Sequence, residues 1–179
     1  MAEEKLDGLR EKKPLYMYKE IPESYAISLM LNDGYQRIWQ NPFGSGGRKE
    51  YFVKVRTNES PEHAFFVRIV EQQVRLYTND LTINDTDGPD IVFNSPAGVV
   101  AVEVETGARK QSRSDLESRF RVLSEDYPIV LVLVTDKYMK RHYEQYSNTI
   151  TRTEIREKIK SYFGNFGIRR VHWSPRSEE

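Results

Sequence analysis

The chain contains no cysteine, which excludes a disulfide framework, a thiolate zinc site and thiol catalysis, and points to a reducing compartment. It also lacks any apolar run near the roughly 20 residues that a membrane-spanning helix needs. Its longest, IVLVLV at 129–134, has six. Met1 to Lys13 is charged and without an apolar stretch of signal-peptide length, so an intracellular, cytoplasmic protein with no membrane partner is expected. Net charge is absent as well, with 27 basic residues against 27 acidic ones, and by itself gives no reason to expect a polyanion. Histidine is scarce: His63, His142 and His172 lack metal-ligand spacing.

The charge that is present is uneven. Residues 1–105 hold 12 Lys and Arg against 17 Asp and Glu, whereas residues 106–176 hold 15 against 8. A basic surplus downstream of an acidic half is the footprint expected of a phosphate-binding surface, and equally of a solvated basic face.

Residues 1–15 have no apolar periodicity and are expected as a flexible tail, with a single domain over 16–179. Ser24 is placed to cap a helix carrying Ala26, Ile27, Met30, Leu31 and Ile38, ending before Asn41-Pro42. Three runs rich in β-branched and aromatic residues, 51–56, 64–70 and 74–78, read as strands. The polar segment NDTDGP leads into DIVF, the turn NSPAG and VVAVEVE, a β-hairpin. Ser114 to Glu117 has the form of a capping box ahead of Leu116, Phe120 and Leu123. IVLVLVT then reads as a strand covered on both faces. Asp136 caps a helix with Tyr138, Met139, His142, Tyr143 and Tyr146 inward. A second capping box, Thr151 to Glu154, opens a helix with Ile155, Ile159, Tyr162 and Phe163 as its stripe, and residues 168–173 read as a closing strand. This order of elements is that of an α/β or α+β three-layer domain.

The chemistry concentrates in VVAVEVE. Residues two apart on a strand share a face, so Glu103 and Glu105 project together from a segment otherwise made of Val and Ala. Buried there, they require a bound cation or a basic partner; on an edge strand they would simply face solvent. Folding the hairpin about residues 95–97 sets Asp90 opposite Glu103, with Cβ atoms about 4.5–5.5 Å apart. Taken alone, Asp90 after Gly88-Pro89 also suits a turn. Three such carboxylates form an oxygen donor set suited to Mg²⁺ or Mn²⁺.

Pro89-Asp90, a gap of twelve residues and Glu103-Val104-Glu105 resemble the signature of the PD-(D/E)XK nucleases, which that superfamily carries on a β-hairpin followed by a helix and an apolar strand. The resemblance spans about residues 88–135. It implies a restriction-endonuclease-like domain, a central mixed β-sheet flanked by helices, that hydrolyses DNA phosphodiester bonds. Mg²⁺ (or Mn²⁺) would be held by Asp90, Glu103 and the carbonyl of Val104. At the last signature position, usually Lys, this chain has Glu105. Some restriction endonucleases carry Glu there, and other members displace the Lys onto the following element, where Lys110 stands. EVETGARKQ is also similar to sequences in nuclease-like proteins of mobile elements and archaeal viruses. In the implied mechanism Glu105 or Lys110 orients the attacking water or stabilises the transition state. Arg109, Gln111 and Arg113 would bind flanking phosphates, an acid upstream (Glu20 or Glu23) is a further candidate ligand, and a homodimer would match the two strands of a duplex. The alternative is a non-catalytic nucleic-acid-binding protein on the same fold.

Other signals are less specific. NDTDGPD lacks the first and last ligands of a calcium loop, GSGGRK lacks the spacing of a phosphate-binding loop, and the tyrosines at helical spacing read as core rather than base-stacking residues.

Overall fold

The computed structural model describes residues 12–84, 88–107 and 112–164. The chain is α+β, with two sheets and, among the described residues, five α-helices. It divides into two compact units, Met1–Asn41 with Gly46–Arg68 and Pro42–Ser45 with Ile69–Glu179. Leu15, assigned to the tail, already opens the first strand.

In the first unit, β1 (Leu15–Met17), β2 (Tyr35–Gln40) and β3 (Lys49–Lys54) form an antiparallel sheet in the order β1-β3-β2. Helix α1 (Glu23–Asn32) buries Ala26 and Leu29 in a cluster with Tyr16, Ile21, Tyr35 and Phe52. The expected cap at Ser24 is not used, since Pro22 occupies the N-cap position without a side-chain bond. The helix also ends earlier than predicted: Gly34 adopts φ +70°, a left-handed conformation that stops a helix, and Ile38 belongs to β2. Ile27 and Leu31, predicted inward, are exposed.

The largest departure is α2 (Pro61–Val74), which replaces the strands predicted at 64–70 and 74–78. The Ser60 hydroxyl accepts the His63 amide at 3.1 Å, capping the helix. Pro61 falls in the first turn, where its missing N–H breaks nothing. Phe65, Phe66, Val67, Ile69, Val70 and Val74 are all buried. A helix covered on most of its surface shows a continuous apolar run, which periodicity alone does not separate from a buried strand.

The second unit holds a mixed sheet, β4 (Leu81–Ile83), β5 (Ile91–Ser95), β6 (Gly98–Glu105), β7 (Ile129–Val134) and β8 (Asn148–Thr151), ordered β4-β5-β6-β7-β8. β4, β5 and β6 run antiparallel, and β7 and β8 continue parallel to β6. The predicted hairpin is β5-β6. Its turn is closed by Gly98 at φ +120°, open to glycine rather than to L side chains, with the Ser95 hydroxyl donating to the Gly98 carbonyl at 2.8 Å.

Helix α3 (Arg113–Asp126) is capped by a box between Ser112 and Asp115, two residues ahead of the predicted one, because Ser112 is the residue whose backbone is extended. Its stripe of Leu116, Phe120 and Leu123 packs on Val130, Val132 and Val134 of β7 and on Tyr143 of α4 (Lys137–Tyr143). On the opposite face, Tyr162 and Phe163 of α5 (Ile155–Phe163) meet Phe93, with ring centroids 6.1 and 5.9 Å away. The unit is therefore three-layered, with β7 covered on both sides as its sequence requires. Asp136 and the Thr151/Glu154 box cap as predicted. Tyr138 and His142, predicted inward, are exposed, since a helix of seven residues turns only Tyr143 fully into the core. Strand β8 was not predicted, and the strand predicted at 168–173 lies outside the described residues. Among the described residues no helix is long and apolar enough to cross a membrane.

Candidate active site

Strand β6 is central, paired with β5 on one side and β7 on the other. Glu103 lies opposite Val132 and Glu105 opposite Val134, and paired residues point to the same side of a sheet. Both glutamates therefore face α3. They are 1% and 7% exposed, so the solvent-facing edge strand that would have explained them is overturned.

What meets them is Arg119 of α3. Its Nη2 pairs with Glu103 Oε2, and its Nη1 donates to Glu105 Oε1 at 2.9 Å. One planar guanidinium thus spans both carboxylates, a match of fork to acceptors that Lys does not offer. Burial alone would pull the Arg119 guanidinium down, but the charges of Glu103, Glu105 and Asp90 outweigh it and hold it above its ordinary value. Tyr143 closes the group: burial first, then the charge and hydrogen bonding of Glu105, push its hydroxyl well above the ordinary tyrosine range. Arg119 was not singled out from the sequence. The signal was available, because it stands three residues after Leu116 and one before Phe120, beside the apolar stripe that packs over β6 and β7.

Asp90 immediately precedes β5. The last ladder pair is Ile91 with Val102, so one further step of the register sets Asp90 beside Glu103, as predicted. Beyond that pair the side chain takes over from the backbone, and Asp90 Oδ2 accepts the Val104 amide at 2.7 Å. Asn84 braces the approach: its backbone amide donates to the Asp90 carbonyl at 3.1 Å, and its side-chain amide donates to the Pro89 carbonyl at 2.6 Å. An acid that merely ended a turn would make no bond across to β6.

Asp90, Glu103 and Glu105 are thus gathered around the end of β6. Lys110, Arg109 and Gln111 lie outside the described residues. Arg113 is exposed on α3 and pairs with Glu117 one turn on, at 2.9 Å, an arrangement worth little on a helix surface. Glu20 and Glu23 belong to the first unit.

Among the described residues no group of three or more His, Asp or Glu is disposed to hold a metal ion. The donor set nevertheless has the right chemistry for a hard cation: Asp90 and Glu103 offer carboxylate oxygens from adjacent strands. Arg119 holds one oxygen of Glu103 and one of Glu105. No family profile, curated protein or solved structure matches the chain.

Proposed function

We propose that the second unit is a metal-dependent nuclease domain of the PD-(D/E)XK type that hydrolyses phosphodiester bonds of DNA. The observation that carries this reading is the pair of buried glutamates on the central strand, with the Asp90 carboxylate bonded to the amide between them. Buried ion pairs stabilise a fold no better than apolar residues of the same size. Two carboxylates buried in a strand otherwise made of Val, Ala and Gly are therefore read as serving chemistry rather than packing. The succession of β5-β6, α3 and β7 has the order of hairpin, helix and strand on which that superfamily carries its signature. Helix α4 adds a surface of the right kind. It contains no acidic residue and exposes Lys137, Tyr138 and Arg141, cations for phosphates and a ring for bases.

In this reading Asp90 and Glu103 would hold Mg²⁺ or Mn²⁺, which when bound would supply Lewis acidity and a water of lowered pKa. Glu105, two residues along the same face, orients the attacking water and accepts its proton. Asp90 keeps Val104 and the two glutamates in register through its bond to the Val104 amide. α3 and the core beneath it exclude bulk water from the inner side, which strengthens every charge interaction there.

The second reading, a non-catalytic nucleic-acid-binding protein on this fold, is favoured by Arg119, which already compensates both glutamates. Incubation of linear, circular and branched DNA with Mg²⁺, Mn²⁺ or EDTA separates the two. Cutting that requires metal supports the nuclease; salt-sensitive binding without cutting supports the second reading.

A further inference from the structure

Arg119 and a divalent cation place the same demand on the same atoms. The guanidinium bonds to Glu103 Oε2 and Glu105 Oε1, one contact on each of two carboxylates that share a face of β6. Its side chain is 36% exposed, whereas those of Glu103 and Glu105 are 1% and 10% exposed. Arg119 is therefore the most solvent-exposed member of the group. α3 is anchored by its capping box and by Leu116, Phe120 and Leu123 in the core. Among the described residues the arginine head is held by its two ion pairs, on a long side chain with several rotatable bonds. Releasing it breaks no backbone hydrogen bond.

We propose that Arg119 is a displaceable counterion that becomes a phosphate ligand: a divalent cation entering at Glu103 releases the guanidinium, which then binds the DNA phosphodiester presented to the site. This rests on the nuclease reading. The planar fork that now spans two carboxylates fits two phosphate oxygens equally well. Before metal enters, Arg119 keeps the two acids together. Afterwards it is a cation at the mouth of the site with an anion to meet. No position of the Pro89-Asp90 and Glu103-Val104-Glu105 pattern contains it.

The test uses the full chain and two separate readouts. Calorimetric titration with Mn²⁺ alone compares wild type, Arg119→Met and Arg119→Lys. Binding of a short duplex DNA is then measured with Ca²⁺, and again with EDTA. Removing the competitor is expected to tighten Mn²⁺ binding about tenfold or more in Arg119→Met, with Arg119→Lys in between because a point charge cannot span both acids. The same Arg119→Met substitution is expected to weaken DNA binding in Ca²⁺ and leave binding in EDTA little changed. A merely structural arginine would not move the two affinities in opposite directions. Circular dichroism checks that each variant is folded; if Arg119→Met is not, Arg119→Lys carries the test with a smaller shift in the same directions. Equal Mn²⁺ affinity in wild type and variants overturns the competition and leaves the metal site standing. No Mn²⁺ binding by any of them overturns both.

Discussion

Replacing Arg119 with Met keeps the length and apolar character of the stem and removes the charge that compensates Glu103 and Glu105. Taking one partner from a fully buried ion pair costs about 3–5 kcal/mol, because the remaining charge is left in a poor environment. An exposed pair is worth about 0–1 kcal/mol. Here the acids are buried but the arginine is about one-third exposed, at 36%. Water can reach part of the gap, which lowers the expected loss to about 2–3 kcal/mol. In a protein of this size that shifts Tm downward by roughly 5–10 °C. The assay is thermal unfolding followed by far-ultraviolet circular dichroism at pH 7 in EDTA. Adding Glu103→Gln and Glu105→Gln to Arg119→Met removes the stranded charges and should restore most of the loss, an interaction term that only coupled residues give. An Arg119→Met variant within about 0.5 kcal/mol of wild type, or a triple variant no better than the single one, would refute the reasoning.

Other expectations follow from the same structure. The Tyr162 hydroxyl is buried on α5 with no hydrogen-bond partner among the described residues, and burial pushes its pKa up to about 12; Tyr162→Phe should stabilise the protein by about 1 kcal/mol in urea unfolding. Ser112→Ala removes the cap of α3 and should cost about 1 kcal/mol, read in the same experiment. Burial raises the Glu154 carboxyl, but bonds from the Thr151 amide, Lys140 and the Thr151 hydroxyl outweigh it and hold it below its ordinary 4.5. A carboxyl depressed by folding stabilises above its unfolded pKa and loses that contribution as pH falls through the folded value. The Tm gap between wild type and Glu154→Gln should therefore be full at pH 7 and close as pH falls below the ordinary 4.5; a gap that persists in acid would contradict the assignment.

The second unit was largely legible because its signals are local or strictly periodic. The hairpin announced itself through a turn between two short apolar runs, and the two-residue spacing of Glu103 and Glu105 fixed their shared face without reference to any other element. β7 was legible because its run of six apolar residues, four of them β-branched, starts after Pro128 and is too short for a buried helix. α2 was not, since a helix buried on most of its surface loses the polar face that gives a helix its period. Tyr138 and His142 were misplaced because apolar character was read as inward on a helix too short to bury more than one flank. The acids of the candidate site were found from spacing, whereas Arg119 was missed. Its role depends on how α3 lies across β6 and β7, a packing relation that no spacing within one element reveals.

The central claim is that the acids at the end of β6 perform metal-dependent hydrolysis of DNA. The most direct test is the rate of DNA cleavage in Mg²⁺ by wild type and Glu103→Gln, with the exposed Glu117→Gln as a control and Tm measured on each preparation. Cleavage by wild type that disappears in EDTA, falls by about a hundredfold or more in Glu103→Gln and is unchanged in Glu117→Gln is the predicted result. Cleavage that survives Glu103→Gln, or a folded wild type that cuts no DNA with any divalent metal, would contradict it.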